Sequence, residues 1–134
     1  MKSLLTLLLG IICNYTIAQT NITFSKNIKD PTAIVAGSFG GKIQAAKFKT
    51  ARKIDIVGGL KDSAVVTSYT IYATGKGFES GPIYISDLKG NLFTNAVIEL
   101  LQKSKTGTTI VIDDIKVKID NVIKKVPSLT FYLY

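Results

Sequence analysis

The chain has 134 residues, with 17 lysines and arginines against 9 acidic residues, a formal charge of +8, one cysteine, no histidine and no tryptophan. That length suits a single domain that can bury a core without covalent staples. The inventory excludes disulfides, Cys/His zinc ligation and a histidine general base, and it leaves Cys13 as the only thiol.

The N-terminus carries one cation, Lys2, and then an almost wholly apolar run from Leu4 to Ile12. The run is too short for a bilayer span, which needs about 20 residues. Thr16 and Ala18 are small residues at the minus-three and minus-one places of a cleavage site, so residues 1–18 read as a secretory signal peptide. The alternatives are a membrane anchor, a buried first strand or a lipoprotein signal ending at Cys13. Ile12 argues against the last, because a small residue is usual there. Removing residues 1–18 leaves 116 residues with a charge of +7 and no stretch of spanning length, so no stable membrane insertion is expected after cleavage. Residues 19–30 are polar and read as a flexible arm. Asn21-Ile22-Thr23 is a formal glycosylation sequon, relevant only in a eukaryotic secretory pathway.

Thr32 to Ala36 is a short β-prone run entered through Pro31 and broken by Gly37 and Gly40-Gly41. Ala45 to Ala51 has room for one helical turn. Ile54, Ile56 and Val57 form a short strand closed by Gly58-Gly59. Ala64 to Thr74 is the clearest strand, rich in β-branched and aromatic residues. Its predicted core face holds Val65, Tyr69, Ile71 and Ala73. Val66, Ser68, Thr70 and Tyr72 share the other face. Gly75, Gly77 and Gly81 mark a connection to a strand at Pro82 to Ser86, followed by a Lys89-Gly90-Asn91 turn.

A helix is predicted next, with Thr94 or Asn95 as N-cap and a stripe of Ala96, Val97, Leu100 and Leu101. Glu99 and Lys103 stand four apart in the favourable order, and Gly107 closes the segment. Thr109 to Asp113 leads into Ile115 to Asp120, a strict apolar–polar alternation with one buried and one wet face. Asp120-Asn121 makes a turn. Leu129 to Tyr134 ends the chain, with Phe131 and Leu133 on one face and Thr130, Tyr132 and Tyr134 on the other. Six to eight short strands at this spacing predict an all-β fold: an antiparallel immunoglobulin-like β-sandwich over residues 31–134, with one short helix at about residues 95–103.

Three motifs bear on chemistry. Ser86-Asp-Leu-Lys89 and Lys105-Thr106-Gly107 match two elements of penicillin-recognising enzymes. The third element is missing, the chain is short for that architecture, and Ser86 ends a strand instead of opening a buried helix. Gly37-Ser-Phe-Gly-Gly-Lys42 is one residue short of a phosphate-binding loop and has Ile43 where Ser or Thr is needed, so a glycine turn is expected. Asp113-Asp114 is the one acidic pair. Neighbours on a strand face opposite ways, so the two converge only if a bulge intervenes, and calcium would need more oxygen ligands. The sequence thus predicts no enzyme, no cofactor and no metal.

Several stretches resemble one family. They are Val66-Thr-Ser-Tyr-Thr-Ile71, Gly77 and Gly81, Asn91-Leu-Phe-Thr94, the helix with Leu100-Leu101, Gly107-Thr-Thr-Ile-Val-Ile-Asp-Asp-Ile-Lys116 and Lys125-Val-Pro-Ser-Leu-Thr-Phe131. Together with Pro31 to Gly41 they look like the C-terminal domain of GldM, over roughly residues 30–134. GldM belongs to the gliding-motility and type IX secretion machinery, and its periplasmic part is a string of β-rich domains ending in an immunoglobulin-like one. The resemblance implies that fold, a periplasmic setting and a habit of binding proteins. It carries over no functional residue. The motor role needs a membrane helix and is not carried over either.

The functional expectation is therefore a non-catalytic, exported protein-interaction module of the bacterial envelope, periplasmic or secreted. The resemblance implies that it works beside a secretion or motility assembly. Its partner would be an unidentified envelope protein. The alternative is an exported binder of an anionic glycan or lipid surface, motivated by the basic charge. Nucleic acid is not expected: the densest basic cluster, Lys116, Lys118, Lys124 and Lys125, contains no aromatics. Candidate partner-binding residues are Lys116, Lys118, Lys124, Lys125, Tyr132 and Tyr134. The terminal strand, Leu129 to Tyr134, is the expected docking edge.

Overall fold

Strands alternate their side chains between two faces, so burial along the two longest strands fixes which side of the sheet is dry. The computed structural model describes residues 30–58 and 64–134. The expected signal peptide and most of the N-terminal arm lie outside the described residues. In chain order the elements are β1 (Thr32–Ile34), β2 (Gly41–Ile43), α1 (Ala45–Lys49), β3 (Asp55–Val57), β4 (Val65–Gly75), β5 (Ile83–Lys89), α2 (Asn95–Lys103), β6 (Thr108–Ile119), β7 (Val122–Lys125) and β8 (Leu129–Leu133).

The fold is the expected all-β one. A six-stranded sheet runs in the order β2-β8-β6-β4-β5, and β7 pairs with the far half of β6. All its pairings are antiparallel except β2 with β8. A second, two-stranded sheet of β1 and β3 shares the core with both helices. The dry face of the large sheet presents Tyr69, Ile71, Ala73, Ile110, Ile112, Ile115, Val117, Leu129, Phe131 and Leu133, all buried. Ala33 and Val35, Phe48 from α1, Ile54, and Val97, Leu100 and Leu101 from α2 complete one continuous core. Phe48 meets Phe131 at 4.8 Å between ring centroids, and Tyr69 meets Phe93 at 6.1 Å. Tilted pairs at such distances add about 0.5–1.5 kcal/mol beyond their burial.

Local chemistry explains the ends of these elements. Thr94 caps α2, its Oγ1 accepting from Val97 N at 3.4 Å. Val97, Leu100 and Leu101 are buried as the periodicity predicts, whereas Ala96 faces solvent. The helix stops at Ser104, whose hydroxyl is buried and donates to the Leu100 carbonyl at 3.0 Å. Asp120 and Asn121 join β6 to β7 with φ of 49° and 62°, the mirror-image turn that matches strand twist. Ala36 and Gly37 repeat that geometry, and Val35 and Ser38 exchange both backbone hydrogen bonds across it. The glycine-rich run from Gly37 is therefore a turn between strands, not a phosphate loop.

Two expectations fail here. Val65 is 59% exposed, and Val66 takes the core position in its place. The register between β4 and β6 shifts after Val66 because Thr67 is an extra residue, which moves everything before it to the other face. The register shifts again between Ser68 and Thr70, this time with the extra residue on β6 at Asp114, φ 48°. Asp87 on β5, φ 56°, is the extra residue across the other edge of β4. The terminal strand is also no docking edge. β8 lies between β2 and β6, and Tyr134 continues the backbone pairing by donating to Ile43 O and accepting from Ala45 N.

Candidate functional site

The helices and the small sheet cover one face of the large sheet, which leaves the other face to solvent. Its register lines side chains up in cross-strand rows, with neighbours in a row about 4.8 Å apart. One row reads Tyr84, Tyr72, Val111, Thr130 from β5 to β8. The next reads Thr74, Thr109, Tyr132, Lys42 from β4 to β2. Tyr84 is 66% exposed, Tyr132 52% and Tyr134 57%. Such rings supply large contact area at low entropic cost, and Tyr is enriched at the energetic centres of interfaces.

Beside the first row lies a shallow concavity of about 420 Å³ lined by Thr70, Tyr72, Tyr84, Val111, Asp113 and Asp114. Both aspartates reach it because the bulge at Asp114 turns two neighbouring side chains to one face. The condition for their convergence is thus met. Asp114 is nevertheless engaged, 3.6 Å from the ammonium groups of both Lys116 and Lys125. Among the described residues there is no group of three or more potential metal ligands.

Beyond the bulges the wet face turns basic. Lys89, Ser68, Lys116 and Lys125 form one cross-strand row, and Val65, Lys118 and Ile123 form the next. Asp87 offsets Lys89, whose hydrogen bond and charge hold its carboxyl below the usual range. These ion pairs are exposed to solvent and screened by it, so they add little to stability.

The six residues singled out from the sequence therefore do not form one patch. Lys116, Lys118 and Lys125 share the wet face. Lys124 pairs with Val117, which is buried, and so faces the other way. Tyr132 and Tyr134 are on the wet face but at the opposite end of the sheet. Lys116 lies seven positions along β6 from Thr109, the partner of Tyr132, which is roughly 20 Å. Sequence reasoning turns Tyr72 to the face away from the core, as found, but misses Tyr84 and Val111 as parts of this surface. A signal for Tyr84 is present in Ile83-Tyr84-Ile85, where the flanking residues face the core. The two enzyme-like motifs sit apart. Ser86 is exposed near the level of Thr70, and Lys105 precedes the turn at Gly75 and Thr108, roughly 17 Å along β4.

Among the described residues, no helix is long and apolar enough to cross a membrane. Compared with known families, residues 30–134 match the model described as the GldM C-terminal domain. No curated protein and no solved structure matched the chain.

Proposed function

Because the chain belongs to the GldM C-terminal domain family over residues 30–134, we propose that it is a non-catalytic protein-interaction module of the bacterial envelope, working with a gliding-motility or type IX secretion assembly. In this reading residues 1–18 are a cleaved signal peptide, residues 19–30 an arm, and the domain works in the periplasm. The carrying observation is the wet face of the large sheet. There Tyr84, Tyr72, Val111, Thr130 and Tyr132 form adjacent rows, with Tyr84 and Tyr132 each more than half exposed. A sheet face held by a dry core on its other side is a rigid platform, so docking costs little ordering entropy. The tyrosines supply contact area, and the concavity with Asp113 offers an acceptor to a donor from the partner.

The test is affinity capture from native envelopes at low and high salt, with the wild type and a Tyr84→Ser/Tyr132→Ser variant. A discrete envelope protein retained at both salts, and lost from the variant, supports the reading. Capture unchanged by the variant moves the interface elsewhere.

A further inference from the structure

The β6–β7 hairpin packs on the core through Val117 and Ile119 and ends in an exposed turn. Every residue of β7 is exposed, with Val122 at 54% and Ile123 at 60%. Both lie within three residues of the Asp120–Asn121 turn. Ile123 pairs with Lys118 on the wet face, beside Val65, which also pairs with Lys118. Val122 pairs with Ile119 on the other face. Residues 116–125 carry four lysines and one aspartate. Asp114 partly neutralises Lys116 and Lys125, whereas Lys118 and Lys124 make no ion pair among the described residues. The end of the hairpin thus presents apolar side chains on both faces with a lysine on each.

We propose that this hairpin end docks on an anionic lipid surface. Val122, Ile123 and Val65 enter the boundary between headgroups and acyl chains. The lysine stems lie along the same apolar zone and carry their ammonium groups to the phosphates. Charge complementarity selects the surface, because juxtamembrane cations are attracted to anionic leaflets. A polyanionic glycan would engage the lysines but leave three exposed aliphatic side chains without a role. The interaction is weak and reversible, and it orients the sheet face without inserting the domain. It stands on different residues from the tyrosine face, so either reading can fail alone.

The test uses residues 19–134, which contain the whole described core and lack the Leu4 to Ile12 run. The protein is sedimented with vesicles of one part phosphatidylglycerol to two parts phosphatidylcholine, and with phosphatidylcholine alone. Binding is expected to the anionic vesicles only. Lys118→Gln/Lys124→Gln should weaken it roughly 30-fold, about fivefold per lysine. Val122→Ser/Ile123→Ser should weaken it at least about tenfold while leaving retention on immobilised heparin unchanged. The chain has no tryptophan, so Val122→Trp gives a single reporter whose emission should shift to the blue with anionic vesicles. No binding to the anionic vesicles, equal binding to neutral ones, unchanged binding by the serine variant or an unshifted tryptophan would each overturn the proposal.

Discussion

Removing the hydroxyl of Tyr69 should stabilise the domain, and more so as the medium becomes alkaline. Tyr69 is 1% exposed, and its Oη has no hydrogen-bond partner among the described residues. A buried hydroxyl without a partner costs about 1–3 kcal/mol relative to its hydrated state. Tyr69→Phe keeps the ring and its contact with Phe93 and discards that cost, so a gain of about 1 kcal/mol is expected near neutral pH. Burial also raises the phenol from its ordinary value near 10 to about 12. The unfolded chain therefore loses this proton first. Between those values the native state holds more protons than the unfolded one, so the wild type loses stability as pH rises. The contribution is fully present below pH 10, is reduced by about 1.4 kcal/mol at pH 11, and is gone above pH 12. The phenylalanine of the variant cannot ionise. Urea unfolding of the two proteins at pH 7 and pH 11 should show an advantage for Tyr69→Phe that widens with pH. A variant destabilised at neutral pH, with a gap that does not change, would mean that the hydroxyl is satisfied in solution.

Other expectations follow from backbone and packing. Gly77→Ala should cost roughly 2 kcal/mol or more in chemical unfolding, because φ is +88° and a Cβ there would collide with the Lys103 carbonyl oxygen. Phe131→Ala should cost about 3–5 kcal/mol by the same assay, since the ring is fully buried against Phe48. Thr94→Ala should cost about 0.5–1 kcal/mol, the lower part of the capping range, because the bond to Val97 N is long at 3.4 Å. Tyr84→Ser should leave the stability within about 0.5 kcal/mol of wild type, as expected for an exposed site.

Much of the fold is legible where one local rule decides. The turn at Asp120-Asn121, the cap at Thr94 and the alternation from Ile115 to Ile119 each rest on chemistry within a few residues. Bulges are less legible because their effect is to change phase. The buried residues of β6 fall on even positions at Ile110 and Ile112 and on odd positions at Ile115 and Val117, with the apolar Val111 on the wet face between the first two. That switch marks the bulge at Asp114, but the continuous apolar run Ile110-Val111-Ile112 hides its first half in the sequence. No comparable switch marks Thr67, since Val65 and Val66 are equally suited to the core. The place of β8 in the sheet is not legible at all. Chain order makes a last strand look like an edge, but the parallel strand β2 comes from nearly a hundred residues away to cover it. Proximity in sequence likewise makes the four lysines look like one patch, whereas the pairing of Lys124 with Val117 turns it to the other face.

The most direct test of the central claim is site-specific photo-crosslinking in living cells. A benzophenone side chain would be placed at position 84, at position 132, or at Ala46, which is exposed on α1 across the core. The same discrete protein adduct, containing a component of the gliding or secretion assembly, is expected from positions 84 and 132, and none from position 46. An adduct from position 46 alone, or no protein adduct from the sheet face, would contradict it.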